Sequence, residues 1–238
     1  MYNNQTQIFL LHFAGGSTHS FDFLKKHVNS QFEFFALELP GRGKRIKEEL
    51  LVNKQEAIAD YVNQIKLLRK KCPFIIYGHS MGATLGLSIV KILEDMEDFP
   101  KQLIVSGNPG PGVNEDEENV KRYLMNDDDF KEELRKLGGV PEEVFKNKEL
   151  YEFFAPILRA DFEILEKDEL IENNEKIMTP IYAMMGDQEE KHTKINNWKR
   201  FTFSKFQSKI FKGNHFFIYD YPKEISKIIM KSCLKETI

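Results

Sequence analysis

A short apolar run, Ile75-Ile76-Tyr77, leads straight into Gly78-His79-Ser80-Met81-Gly82, and small and apolar residues follow it. A strand entering Gly-x-Ser-x-Gly and leaving as a helix requires a sharp strand-to-helix turn that holds the Ser hydroxyl clear of the sheet. Gly on both flanks lets neighbouring backbone pass without a Cβ clash. The pattern therefore commits the chain to at least one strand–turn–helix unit. It marks Ser80 as a candidate nucleophile, against the plainer reading of a Ser in an ordinary turn.

The rest of the chain repeats that unit. Five apolar segments read as buried strands: Ile8 to Phe13, Phe32 to Leu39, Phe74 to Tyr77, Leu103 to Val105 and Pro180 to Met185. A sixth, Lys209 to Phe211, is weaker. Helical periodicity runs from Ala57 to Leu68, with Ile58, Tyr61, Val62, Ile65 and Leu68 on one face. It recurs from Met81 through Leu85, Ile89 and Leu93, and again at Ile225, Ile228 and Ile229. Strands alternating with helices predict an α/β chain with a mostly parallel central sheet and helices on both faces. From about Asn114 to Asn174 no strand is legible. Helix-like patterns there include Tyr123, Leu124, Leu134, Leu137, Leu150 and Phe154, and the segment reads equally as added bulk or as a lid over a pocket. With no repeat and no linker, 1–238 reads as a single domain.

The chain has 238 residues, enough for one α/β domain, and its 20 Phe supply large areas for a core. A net charge of -3 gives no reason to expect nucleic acid or a membrane surface as partner. Cys72 and Cys233 lack metal-ligand spacing and read as reduced thiols of a cytoplasmic protein. The N-terminus has neither a basic region nor an apolar stretch of signal-peptide type, and no apolar run reaches bilayer length.

A Ser nucleophile needs a base. Of six histidines, His215 directly follows the last strand pattern, where α/β sheets build sites. His79 should point away from Ser80 and pack. His12 falls within the first strand and His19 in the loop after it, while His27 and His192 look solvent-facing. The base needs a carboxylate to fix its tautomer. Asp187 follows a strand and Gly186, and is preferred to Asp161, Asp168 and Glu189. The order Ser80, Asp187, His215 is that of α/β-hydrolases. Two backbone amides must hold the oxyanion. Met81, directly after the nucleophile, supplies one. Ala14, in Phe13-Ala14-Gly15-Gly16, supplies the other. Gly15-Gly16 lacks the following residues of a phosphate-binding loop.

Several motifs now converge. Phe13-Ala14-Gly15-Gly16-Ser17, Leu39-Pro40-Gly41-Arg42-Gly43 with Arg45, the Ser80 elbow, Gly138-Gly139-Val140-Pro141, Leu158-Arg159-Ala160-Asp161, Gly186-Asp187 and His215-Phe216-Phe217 together resemble the type II thioesterases that accompany nonribosomal peptide and polyketide synthases. The chain departs from that pattern at His12, where Pro is common, and at Asn214, where Gly is common. The resemblance implies an α/β-hydrolase fold with a helical lid insertion at approximately 114–174. It implies hydrolysis of acyl groups from the phosphopantetheine arm of an acyl or peptidyl carrier protein, clearing misprimed or stalled chains. No metal or redox cofactor is implied, and the family leans to monomers. Arg42 and Arg159 are expected to form structural ion pairs within loop and lid. Alternatives are a medium-chain acyl-carrier-protein thioesterase of fatty-acid synthesis, a carboxylesterase or lipase on the same fold, and a hydrolase-like binding module without catalysis.

Overall fold

Six strands lie in the order β2-β1-β3-β4-β5-β6, and all neighbours run parallel. They are β1 (Thr6–Leu11), β2 (Phe32–Ala36), β3 (Phe74–His79), β4 (Gln102–Ser106), β5 (Ile181–Gly186) and β6 (Phe206–Phe211). The helices are α1 (Asp22–Lys25), α2 (Lys54–Leu68), α3 (Met81–Asp95), α4 (Asp127–Leu137), α5 (Glu142–Lys146), α6 (Lys148–Glu166) and α7 (Pro222–Lys231). These elements come from a computed structural model that describes residues 5–113, 120–167 and 176–232.

Alternate residues of the central strands feed two cores, which is why those strands read as unbroken apolar runs. Phe9, Leu11, Ile76, Leu103 and Val105 pack on one face with Ala57, Tyr61 and Ile65 of α2 and Leu85, Ile89 and Leu93 of α3. Ile8, Leu10, Ile75, Tyr77 and Ile104 pack on the other with Leu24 of α1 and Ile225 and Ile229 of α7. The Asn53 side chain caps α2 by accepting from the Glu56 amide at 3.0 Å. Leu68, expected on the buried face of α2, is exposed at its last turn.

Strand boundaries differ from the sequence expectation, most clearly at β1, β2 and β6. β1 ends at Leu11, so His12 starts the following loop, and β2 ends at Ala36. β6 is longer than its signal suggested, because it is an edge strand with four consecutive exposed residues and little apolar pattern. Between β4 and β5 the described residues 120–167 contain helices and no strand. The expected lid boundaries at Asn114 and Asn174, together with Asp168 and Cys233, lie outside the described residues.

Strand order reverses between β1 and β3. The chain leaves β1 toward β2 on one side, and β3 pairs on the other. The crevice beyond the carboxyl ends of these two strands is the topological switch point, where open α/β sheets hold ligands. The Phe13–Gly16 loop and Ser80 both stand there.

Candidate active site

Ser80 has φ 53° and ψ -112°, and only it and Glu97 have positive φ among the described non-glycine residues. Such backbone costs on the order of 1–3 kcal/mol and persists only where its surroundings over-determine it. Here they do. The Ser80 amide donates to the Ser106 carbonyl at 2.8 Å. A Cβ on Gly78 would collide with the Gly82 carbonyl, and one on Gly82 with the Leu11 carbonyl. The two motif glycines are thus the places where β3, α3 and β1 cross at backbone distance. Ser80 stands at the N-cap of α3 but makes no side-chain cap bond, so its hydroxyl is not spent on its own helix. Met81 opens α3, and a first-turn amide has no acceptor within the helix.

The loop after β1 commits two of its amides. Gly16 donates to the Phe13 carbonyl at 2.8 Å, and Gly15 to Asp161 Oδ2 at 2.7 Å. The Ala14 amide makes no hydrogen bond among the described residues. His12 braces the loop from beneath. Its Nδ1 donates to the Phe13 carbonyl at 2.8 Å, and its Nε2 accepts from the Leu39 amide at 3.4 Å. A carbonyl only accepts and an amide only donates, so these partners fix the neutral tautomer. Burial and then the nearby Arg42 charge push the His12 pKa down to about 4.

The carboxylate on His215 is Glu189, not Asp187. Glu189 Oε2 accepts from His215 Nδ1 at 2.7 Å, and its Oε1 accepts from the Gly186 amide at 2.7 Å. Asp187 is exposed and accepts from the Gly213 amide at 2.8 Å. The physical reason is the turn after β5. It closes with the Glu189 amide on the Gly186 carbonyl at 3.2 Å, which sends residue 187 toward solvent and folds residue 189 back over the strand end. Directness after the strand, the signal that favoured Asp187, does not track which side chain a turn aims inward. Both carboxylates stand within the Gly186–Glu189 turn, and its geometry separates them.

His215 also reaches the elbow. Its ring centroid is 5.0 Å from that of His79, the residue before Ser80. Gly107, with φ +62°, directly follows β4 and lies between them: a Cβ there would come within 2.6 Å of His79 Cε1 and 2.9 Å of His215 Cε1. His79 is buried, as expected for a packing residue, with Nδ1 2.8 Å from Ser106 Oγ. Burial, and secondarily His215, hold its pKa well below the usual imidazole value. His19 pairs with Asp22 at 2.9 Å in an exposed contact. His27 and His192 are half-buried rather than solvent-facing, and His192 Nδ1 donates to the Glu189 carbonyl at 2.7 Å.

The helical segment lies over these loops. Phe130, Leu134, Leu158 and Phe162 form its own core, with Ala14 packed against it. A Cβ on Gly15 would come within 2.5 Å of Leu158, and one on Gly139 would enter the Phe216 ring. Arg159 ties α6 to its own segment, donating to the Tyr123 carbonyl at 3.0 Å and to Asp127 at 2.9 Å. Arg42 instead reaches out of its loop to α6. Its two terminal nitrogens donate to the two oxygens of Asp161 at 2.6 and 2.7 Å, both side chains buried. Burial opposes the Arg42 charge, but Asp161 more than compensates and holds its pKa above the ordinary value. Asp161, a rival for the acid of the site, is spent on this pair and on Gly15.

The chain resembles known proteins over nearly its whole length. The chain is 29% identical over 228 residues to the gramicidin S biosynthesis protein GrsT of Aneurinibacillus migulanus, covering 94% of this chain and 88% of that one. It superposes on ClbQ from the colibactin NRPS/PKS pathway with a TM-score of 0.87 at 27% identity, covering 96% of each chain. It superposes on BorB, the type II thioesterase from the borrelidin biosynthetic cluster, with a TM-score of 0.85 at 26% identity, covering 96% of this chain and 92% of that one. The parallel sheet with its helices is the α/β-hydrolase fold shared with those two structures. The profile of the thioesterase domain family matches residues 6–233, and the chain belongs to that family.

Proposed function

We propose that the chain is a serine thioesterase that hydrolyses acyl thioesters on the phosphopantetheine arm of carrier proteins, clearing misprimed or stalled groups in nonribosomal peptide or polyketide assembly. The observation that carries the catalytic part is the Glu189–His215 pair, 2.7 Å apart, beside the positive-φ Ser80 turn. The family match and the relatives above support the thioester class and the carrier-bound substrate.

In this reading Glu189 holds the His215 Nδ1 proton, which leaves Nε2 to accept the Ser80 proton as Oγ attacks the thioester carbonyl. The Ala14 and Met81 amides receive the oxyanion, each donor contributing roughly 10²- to 10³-fold to turnover. The imidazolium then returns its proton to the departing thiol. A thiol, with a pKa of about 8.5 on the cysteine scale, leaves more readily than an alcohol. Water activated by His215 hydrolyses the acyl-Ser and restores the free hydroxyl. The helices over residues 120–167 serve as the lid, since they rest on both the oxyanion loop and the residue after His215. The catalytic steps use only this chain's groups and water.

The test compares hydrolysis of an acyl-loaded carrier protein with that of an oxygen ester of the same acyl group. Preference for the carrier thioester is expected, and a strong preference for the oxygen ester overturns the reading in favour of a carboxylesterase. Fluorophosphonate labelling that disappears in Ser80→Ala is expected. Labelling that persists there sinks Ser80 as the nucleophile.

A further inference from the structure

Three segments far apart in the chain meet at one buried carboxylate. Asp161 Oδ2 takes the Gly15 amide at 2.7 Å and Arg42 at 2.6 Å, while Oδ1 takes Arg42 at 2.7 Å. Asp161 belongs to α6, Gly15 to the loop after β1, and Arg42 to the loop after β2. Arg42 also lies 3.4 Å from the Gly16 carbonyl and donates to it. The peptide plane between Ala14 and Gly15 is thereby fixed through its N–H, and the amide of Ala14 stands on the adjacent plane. Leu158, one helical turn before Asp161, packs on Gly15 from the same helix. An ion pair serving only to fasten the helix would not need the oxyanion-loop amide as a third partner.

We infer that Asp161 is a positioning residue for the oxyanion hole: through Gly15 it sets the direction of the Ala14 amide, and it does so only while α6 is seated against Arg42. This rests on the thioesterase reading for its substrate but not for its geometry. A helix that lifted would take Asp161 away from Gly15 and release the donor, so the hole is complete only beneath a closed cover. Preorganised donors act because they need no reorientation as charge develops.

The test replaces Asp161 in the full chain and reads turnover and transition-state affinity together. Asp161→Asn keeps the shape and removes the charge facing Arg42. Asp161→Glu keeps the charge and moves it by one methylene away from its present place on Gly15. For whichever variant folds by circular dichroism, kcat should fall about 10- to 100-fold with KM within twofold, part of the loss expected for a missing donor. Affinity for a trifluoromethyl ketone, whose adduct with Ser80 places its oxyanion in the hole, should fall by the same factor. Arg159→Gln, which removes only the contacts of α6 with Tyr123 and Asp127 and leaves α6 seated on Arg42 and Gly15 through Asp161, should lower the melting temperature and leave that affinity unchanged. Unchanged ketone affinity in the folded Asp161 variants, or an equal loss in Arg159→Gln, overturns the inference. Measuring the variant-to-wild-type ratio on a p-nitrophenyl ester as well separates the two readings. The hole serves both substrates, so a wild type that rejects carrier thioesters would fail the thioesterase reading while the ratio still decides the role of Asp161.

Discussion

Glu189 Oε2 lies 2.7 Å from His215 Nδ1, while Asp187, two residues earlier, gives its carboxylate to the Gly213 amide at 2.8 Å. One turn therefore carries two acids with different work. Glu189 orients an imidazole, and Asp187 fastens the loop that carries that imidazole.

Glu189→Gln is expected to lower kcat by about four orders of magnitude, because an amide presents the wrong partner to Nδ1–H and favours the unproductive tautomer. Asp187→Asn should cost no more than about tenfold, since an amide oxygen still accepts from Gly213 and a typical neutral hydrogen bond contributes only about 1 kcal/mol. Steady-state hydrolysis of an acyl thioester checks the ranking. The reverse order would return the role of the acid to Asp187.

Ser80→Gly should stabilise the fold while abolishing turnover. Glycine adopts φ 53° without the Cβ penalty. Relief of strain set against greater chain entropy leaves a net gain of about 1 kcal/mol. For a chain of this size that raises the melting temperature by roughly 2–4 °C. A lower melting temperature than wild type would mean that the Ser80 turn stores no strain.

His12 makes stability pH-dependent in a stated direction. Its folded pKa of about 4 lies below the ordinary 6.5, so between these values the unfolded chain binds the proton and the folded chain does not. Stability is therefore full above pH 6.5 and declines as pH falls toward 4, by on the order of 3 kcal/mol for this group. His79, depressed in the same sense by burial, adds to the decline. Urea melts at pH 7.5 and 5 should show it, and His12→Gln, which keeps a donor and an acceptor without titrating, should flatten the difference. An unchanged pH dependence in that variant would remove His12 from the account.

Gly139→Ala and Gly138→Ala should part company. Both positions have positive φ, +82° and +76°, so both carry the backbone penalty of about 1–3 kcal/mol. Only at 139 does the new methyl enter the Phe216 ring, next to His215, whereas at 138 the nearest atom of that ring is 3.8 Å away. Gly139→Ala is expected to lower kcat/KM at least tenfold more than Gly138→Ala at matched loss of melting temperature. Equal activities would mean that the turn at 138–139 does not bear on the loop that carries His215.

What was legible in the chain was what short-range sterics and periodicity control. Ile75 to Gly82 had to be a strand, a tight turn and a helix, and the close crossings at Gly78 and Gly82 show why no larger residue stands there. The apolar runs of β1, β3 and β4 gave a parallel sheet, because strands buried on both faces lose their alternation. β6 was faint for the opposite reason, lying exposed at the edge. His215 stood out because it follows a strand end, and the structure brings it beside His79 and Glu189. Glu189 was visible only as a rival to Asp187, since the aim of a side chain within a four-residue turn depends on the hydrogen bonds that close it.

The sequence by itself determined the elements, their parallel winding, the sharp turn at Ser80 and the place of His215 after the last strand, all set by backbone sterics and by patterns a few residues long. Only the tertiary structure decided which carboxylate holds that imidazole, and that Arg42 closes on Asp161, 119 residues away, with the Gly15 amide as third partner. Those choices depend on where distant loops land above the sheet. A motif states which groups are present, while the path of the chain between motifs fixes which of them meet.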